Sequence, residues 1–327
     1  MRSDPIPGES ESEPFLNSAR FSMQRAPLVI GLGVALHVVF FVLMLMGVEP
    51  FQTFFYLFAW WTFIPVIGAI NAQRAGNSLI FGPSQQLAWV TGYSLIVWLF
   101  FEIWNFRLHN WSYVGVIELT WLRWLAYAVS FATVLPAILE VNTLLGNLGL
   151  ARRVPGPVIR VSPRLLNGCV MAGLLMLTLV VLLPRYCFPL LWVGIIFILD
   201  PLIYRRDRVA SLLGQAAKGS YARLLRLMLA GLLCGVLWEF WNYWSAAKWI
   251  YTIPFFNFWK VFEMPLVGYL GFLSFALESY LFWQLLRFVK ESYAATDWRI
   301  SLIIAVLAAI YCALVFSGID NITVIWN

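Results

Sequence analysis

The sequence predicts an all-α integral membrane protein with nine transmembrane helices, the N-terminus inside and the C-terminus outside, built as two parallel four-helix repeats plus one extra helix. Three observations lead to this fold: the apolar composition, the uneven placement of basic residues and an internal repeat. Hydrophobic residues make up 61% of the 327 residues and charged residues 12%, against about 45–50% and about 25% in soluble domains. Too few polar residues remain to cover a surface that faces water, so the expected solvent is a lipid bilayer.

Apolar runs of about 20 residues, the length that crosses a bilayer as a helix, recur along the chain with polar or Pro/Gly breaks between them. Before the first run, residues 1–26 are polar and of mixed charge, which predicts a cytosolic tail rather than a cleavable signal peptide. The predicted spans are 28–48, 51–72, 85–106, 122–146, 165–183, 186–204, 221–244, 264–288 and 300–318.

Basic residues are distributed unevenly between the two ends of these spans. With the N-terminus inside, 17 of the 22 Lys and Arg residues fall at the cytosolic ends and 5 at the opposite ends. Such a bias sets the orientation of a multi-pass protein, here predicted in the cell inner (plasma) membrane. The net charge of +6 therefore reflects topology, and no nucleic-acid partner is expected. Two histidines and four dispersed cysteines without a CxxC spacing predict no metal site.

An internal repeat is the most informative pattern. Residues 101–105 read FEIWN and residues 238–242 read WEFWN, an offset of 137, and further matches at 138 pair Trp111 with Trp249 and Glu140 with Glu278. An even number of helices in each copy predicts that both copies have the same orientation. The predicted units are a polar tail 1–26, repeat 27–146, a basic Pro/Gly linker 147–164, repeat 165–288, and a ninth helix with an outer tail 289–327.

Four glutamates fall inside predicted spans, where an ionisable side chain costs about 2.5–3.5 kcal/mol. Two interpretations remain open for them: they are acids of a functional site, or they are structural carboxylates bonded to Trp, Asn or Tyr across the bundle. Asp200 is expected to pair with the arginines that follow it. The candidate catalytic residues are Glu239, Glu102, Glu278 and Glu140.

Polar and aromatic residues accompany the first acid pair. An asparagine follows each glutamate by three residues and so shares its helix face, and each helix then leads into a loop rich in aromatic residues. These loops are either interfacial aromatic belts or lids over a shared cavity. The candidate substrate-binding residues are Asn242, Asn105, Trp241, Trp104, Trp249 and Tyr251.

The second repeat resembles the small membrane lycopene cyclases, which occur as two short subunits or as one fused chain. The resemblance covers about 45 residues per repeat and rests on Trp241-Asn242-Tyr243, then Trp249-Ile250-Tyr251, then Pro265 at the start of the next helix. The family's paired acids after that proline would fall on Val267 and Gly268, which cannot donate a proton. If the chain protonates an isoprenoid double bond, the four glutamates must do so.

The resemblance implies a fold for a lipophilic partner, a polyene or prenyl lipid within the bilayer, that needs no cofactor, but it does not imply the cyclase activity itself. Isomerase-like, carotenoid-type acid–base chemistry on such a lipid is one hypothesis. A buried carboxylic acid that stays neutral can protonate a C=C bond, and aromatic faces stabilise the resulting cation. The competing class is a non-enzymatic carrier or binder of a lipid or small amphiphile, for which parallel repeats with acids at matched depth are equally suitable. A structural role as an assembly subunit is the third alternative.

Overall fold

The computed structural model describes residues 16–82, 84–255, 257–293 and 298–326. Within these residues, nine helical segments are long and apolar enough to cross a membrane. The prediction of an all-helical, multi-pass architecture is thereby confirmed at this level. The first 15 residues of the predicted tail lie outside the described residues. The helices are α1 Leu16–Leu45, α2 Phe55–Ala75, α3 Ser84–Leu108, α4 Thr120–Phe131, α5 Val134–Asn147, α6 Pro163–Leu182, α7 Pro184–Cys187, α8 Leu191–Arg206, α9 Leu212–Ala216, α10 Ala222–Trp244, α11 Tyr269–Tyr293 and α12 Trp298–Ile322.

Two of the predicted spans are interrupted by proline. The fourth is divided into α4 and α5 at Ala132–Thr133, where Pro136 has no N–H to donate back to the preceding turn. The Thr133 hydroxyl donates to the Ser130 carbonyl at 2.6 Å within this break. The sixth is built from α7, a 3₁₀ turn Phe188–Leu190 and α8. The nine predicted spans overlap the candidate segments in position, and these two differ from the prediction because each is broken rather than a single helix.

Four short strands lie together at one end of the bundle, which we call the strand end. Strand β1 (Trp111–Val114) pairs antiparallel with β2 (Lys248–Tyr251), and β3 (Lys260–Val261) pairs with β4 (Met264–Pro265). In the first pair Trp111 lies opposite Tyr251 and Tyr113 lies opposite Trp249. The chain after α12 adds to this sheet, because Val324 forms a parallel bridge with Tyr113.

The opposite end, which we call the linker end, contains the segment between α5 and α6. This segment is held by the loop before α10: the Gly156 amide donates to the Gly219 carbonyl at 3.0 Å, and the Tyr221 amide donates to the Val154 carbonyl at 2.8 Å. The Tyr221 hydroxyl donates to the Pro157 carbonyl at 2.8 Å. The predicted basic linker is thus packed against the second half of the chain.

Aromatic residues fill the contact between the chain halves 27–146 and 165–288. Helix α10 packs on α2 and α5, and α11 packs on α3 and α5. The rings of Trp60 and Trp238 lie 5.5 Å apart between centroids, and those of Trp192 and Phe101 lie 5.5 Å apart. Aromatic pairs of this kind stabilise a fold beyond their area of burial.

Candidate functional site

A cavity of about 200 Å³ lies between the two halves at the strand end. About half of the residues in its walls are aromatic, and both strands of the β1–β2 pair contribute to them. Such a concave, apolar pocket with a few polar groups is the usual form of a small-molecule site. The aromatic residues in its wall are Phe54, Tyr56, Trp98, Trp111, Tyr113, Tyr127, Phe131, Phe188, Trp192, Trp238, Trp249, Tyr251, Phe272 and Phe275.

Glu102 lies directly behind this wall. Its side chain is fully buried, and one carboxylate oxygen, Oε1, accepts three hydrogen bonds. The Tyr113 hydroxyl donates at 2.5 Å, the Trp98 indole at 2.8 Å and the Trp111 indole at 3.2 Å. All three donors line the cavity, whereas the carboxyl itself does not. A ligand in the cavity therefore meets the donors first and the acid second.

Glu239 has the same position in the second half. Its Oε1 accepts from the Tyr251 hydroxyl at 2.8 Å, and that hydroxyl accepts in turn from the Trp249 indole at 2.9 Å. Burial raises the pKa of Tyr251 well above its ordinary value, and the pKa of Tyr113 rises for the same reason. Both phenols therefore keep their protons at neutral pH and act as donors to the glutamates.

The two asparagines expected to bind substrate hold the strands instead. The Asn105 amide donates to the Trp111 carbonyl at 2.8 Å and its Oδ1 accepts from the Trp111 amide at 3.2 Å. Asn242 makes the same two contacts with Trp249, at 2.9 and 3.0 Å. Neither asparagine lines the cavity. Their hydrogen bonds fix the positions of Trp111 and Trp249, which do line the cavity.

Two further predicted binding residues also lie away from the cavity wall. Trp241 is buried against Trp60, with ring centroids 4.7 Å apart, and Trp104 packs on Phe100 at 6.3 Å. Of the six predicted binding residues, only Trp249 and Tyr251 line the cavity.

Glu140 and Glu278, paired by the sequence offset, have different surroundings. The Glu140 carboxylate accepts from Asn71 Nδ2 at 2.6 Å, the Ser78 hydroxyl at 2.8 Å and the Ile80 amide at 2.9 Å. It therefore fixes the loop after α2. Glu278 is fully buried, and neither of its oxygens has a hydrogen-bond partner among the described residues. Neither glutamate lines the cavity, so the structure does not bring the four acids together at one site.

The prediction that Asp200 pairs with the following arginines is wrong. Its two carboxylate oxygens accept from the amides of Leu212 and Leu213, each at 2.7 Å. These are free N–H groups in the first turn of α9, where a carboxylate is stabilised by hydrogen bonds and by the helix dipole. Of the neighbouring arginines, Arg205 donates to Asn167 at 2.7 Å instead.

Several cavity residues were not among the predicted site residues. Tyr113 was detectable from sequence, because Trp111-Ser-Tyr113 matches Trp249-Ile-Tyr251 in the repeat. Arg123, Trp98 and Tyr127 gave no such signal. Arg123 is fixed at the wall by an ion pair of 2.8 Å with Asp320 of α12, a contact between residues 197 positions apart in the chain.

Comparison with family models, curated protein sequences and solved structures finds no significant match for this chain. The helices alone therefore define the class of this protein. It is a polytopic, all-helical protein in which nine segments, among the described residues, are suited to cross a membrane.

Proposed function

We propose that this protein binds a lipophilic small molecule, such as a polyene or a prenyl lipid, in the aromatic cavity between its halves. The observation that carries the proposal is the composition of the cavity wall, which is dominated by Trp, Tyr and Phe from both halves. Aromatic faces attract extended apolar chains and conjugated systems. The wall has two cationic side chains, Arg123 and Lys248, and each is paired with an acid, which favours a ligand with little charge.

A glycine in the wall allows a direct test. A Cβ atom placed at Gly271 meets no atom within 4 Å, and Gly271 lines the cavity. Gly271→Phe therefore places a ring in the ligand's volume. Gly92 on α3 is also open but does not line the cavity, so Gly92→Phe is the matched control. We expect lipid extraction and mass spectrometry of purified protein to find a polyene or prenyl lipid in the Gly92→Phe variant and at least tenfold less, on the order of 1.4 kcal/mol of binding, in the Gly271→Phe variant.

Equal recovery of such a lipid from both variants, or no polyene or prenyl lipid in either, would contradict this location of the site.

The second candidate function is acid–base chemistry on the bound lipid, of the cyclase or isomerase type and without a cofactor. It is favoured by the two tyrosine hydroxyls, each placed between the cavity and a buried glutamate. The neutral glutamic acid would donate its proton to the phenol oxygen while the phenol proton moves to a substrate C=C bond. Aromatic faces would stabilise the resulting carbocation until a neighbouring carbon of the substrate loses a different proton, which returns through the phenol to the glutamate and restores the neutral acid.

Binding and chemistry are separable with one substitution. Glu239→Gln keeps the shape of the side chain and removes the acid. On the enzymatic proposal it abolishes conversion of the extracted lipid while lipid recovery is unchanged. Unchanged conversion would leave the carrier or binder as the function. The remaining candidate acids are Glu102, Glu140 and Glu278, of which only Glu102 has a tyrosine between it and the cavity.

We also propose that the halves are a parallel repeat related by a two-fold axis near the membrane normal. The β1–β2 register supports it, because Trp111 lies opposite Tyr251 and Tyr113 opposite Trp249, so repeat partners exchange places. The ring pairs Trp60–Trp238 and Trp192–Phe101 follow the same exchange, because Trp60 matches Trp192 at an offset of 132 and Phe101 matches Trp238 at 137. With the linker end in the cytosol of a plasma membrane, alkaline phosphatase fused after Trp326 is expected to be active, and a fusion within 147–164 inactive. The reverse pattern would contradict this orientation.

A further inference from the structure

A second cavity of about 210 Å³ lies at the linker end of the second half. Helices α6, α8, α9, α10 and α11 contribute to it, together with the linker between the halves. Most of the side chains that line it are apolar, including Ile159, Cys169, Ile196, Phe197, Leu224 and Leu277. It shares no lining residue with the cavity at the strand end.

Three of the polar side chains in this wall are already engaged. Asp200 accepts two backbone amides, the Tyr221 hydroxyl donates to Pro157, and the Gln215 amide donates to Val209 at 3.0 Å. An occupant therefore meets apolar walls and no free acid among these three. A hydrocarbon chain is the ligand that such walls accept without loss of hydrogen bonds.

The cavity lies at a shallow depth in the bundle. Cys169 is six residues from the start of α6 at Pro163, about 9 Å along a helix axis. Pro201 is five residues from the end of α8 at Arg206, about 7.5 Å. One leaflet of the hydrocarbon core is about 15 Å thick. The cavity therefore lies where the first carbons of a lipid chain would enter from the headgroup region.

Exposed basic residues surround this position. Arg160 follows the lining residue Ile159, Lys218 follows Ala216 by two positions, and Arg164 opens α6. The linker 147–164 carries four arginines and no acid. We propose that this cavity and its basic rim form a site for an anionic phospholipid of the surrounding leaflet, with an acyl chain between the helices and the phosphate on Arg160, Arg164 and Lys218.

Cys169 provides a reporter inside the proposed site. The variant Cys187→Ser/Cys312→Ser leaves Cys169 as the accessible thiol, because Cys234 is fully buried. The variant Cys169→Ser/Cys312→Ser leaves Cys187, which lies at the strand end and serves as the control. Both are reconstituted as full chains in nanodiscs of phosphatidylcholine alone or with phosphatidylglycerol. The rate of alkylation by N-ethylmaleimide, which is uncharged, is then measured.

We expect phosphatidylglycerol to slow alkylation of Cys169 at least fivefold and to leave Cys187 unchanged. Replacing one basic residue, as in Arg160→Gln, should weaken the apparent phosphatidylglycerol affinity about fivefold, and the triple variant with Arg164→Gln and Lys218→Gln should remove the protection. These side chains are exposed, so folding is preserved, and the Cys187 rate reports it. Cys169 rates equal in both lipids, or protection that survives the triple variant, would overturn the proposal. Protection by a free fatty acid without protection by phosphatidylglycerol would also overturn it.

Discussion

The two halves of the chain agree at the strand end and differ at the linker end. At the strand end a glutamate, a tyrosine and an asparagine make the same contacts in each half: Tyr113 to Glu102 and Tyr251 to Glu239. At the linker end Glu140 binds the loop after α2, whereas its counterpart Glu278 has no described hydrogen-bond partner. The difference shows that the matched geometry is confined to the end that contains the cavity, while the other acids meet local structural needs.

In the second half, Asp200 makes the kind of contact with backbone amides that Glu140 makes in the first half. Its carboxylate accepts from the amides of Leu212 and Leu213, in the first turn of α9 after α8, just as Glu140 accepts from the amide of Ile80 in the loop after α2. The two halves thus meet the same requirement, to satisfy buried loop amides, from different helices.

The halves also differ in the ion pair that holds the strand end. The first half is held by Asp320 of α12, which lies outside both halves and accepts from Arg123 and the Trp124 indole, each at 2.8 Å, and from the Tyr127 hydroxyl at 3.1 Å. In the second half Lys248 pairs with Glu263 at 2.7 Å, in the β3–β4 hairpin. The first pair is the more buried, with side-chain exposures of 6% and 12% against 25% and 16%.

The largest expected difference in the free energy of unfolding is between variants of these two ion pairs. Asp320→Asn leaves the Arg123 guanidinium buried without a counter-charge, which costs about 3–5 kcal/mol. Glu263→Gln leaves Lys248 closer to solvent, where the loss is about 1 kcal/mol or less. The free energy of unfolding in detergent, measured by titration with sodium dodecyl sulfate, checks both. Equal losses in the two variants would show that burial does not distinguish the pairs.

A smaller difference in the free energy of unfolding is expected between variants of Glu140 and Glu278. In the Glu140→Gln variant the N–H groups of the new side-chain amide would face the donors that Glu140 now accepts from. The hydrogen bonds to a charged group that are lost cost about 1.5–3 kcal/mol. Glu278→Gln removes no described hydrogen bond, so a smaller loss than at Glu140 is expected. The same titration measures both variants. A loss at Glu278 that matches the loss at Glu140 would mean that Glu278 acquires a partner, such as water or lipid, in the membrane.

Much of the fold and less of the site could be predicted from the sequence. The spans and the burial of the four glutamates follow from local apolar runs, which need no tertiary information. The prediction for Asp200 failed because its partners are the amides of a five-residue helix, and amides have no signature in side-chain patterns. The roles of Asn105 and Asn242 were missed because an i, i+3 spacing places two side chains on one face without showing which backbone they meet.

The smallest expected effect concerns the two tyrosines beside the cavity. Tyr251→Phe removes the described donor to Glu239 and the acceptor of the Trp249 indole. The buried Glu239 carboxyl and the half-buried Trp249 indole both lose their partner, and the buried group alone costs about 1 kcal/mol or more. Tyr113→Phe leaves Glu102 with the indole donors of Trp98 and Trp111 at 2.8 and 3.2 Å. The Tyr113→Phe variant should therefore lose about 1 kcal/mol or less of its free energy of unfolding.

The comparison is measured as the difference in free energy of unfolding between the two variants. Each half contains its own tyrosine beside a buried glutamate, so each variant serves as the control for the other. We expect Tyr251→Phe to be the more destabilising by about 1 kcal/mol. If Tyr113→Phe proved the more destabilising, the 2.5 Å bond to Glu102 would outweigh the two indole bonds, and the first half would hold its acid mainly through the phenol.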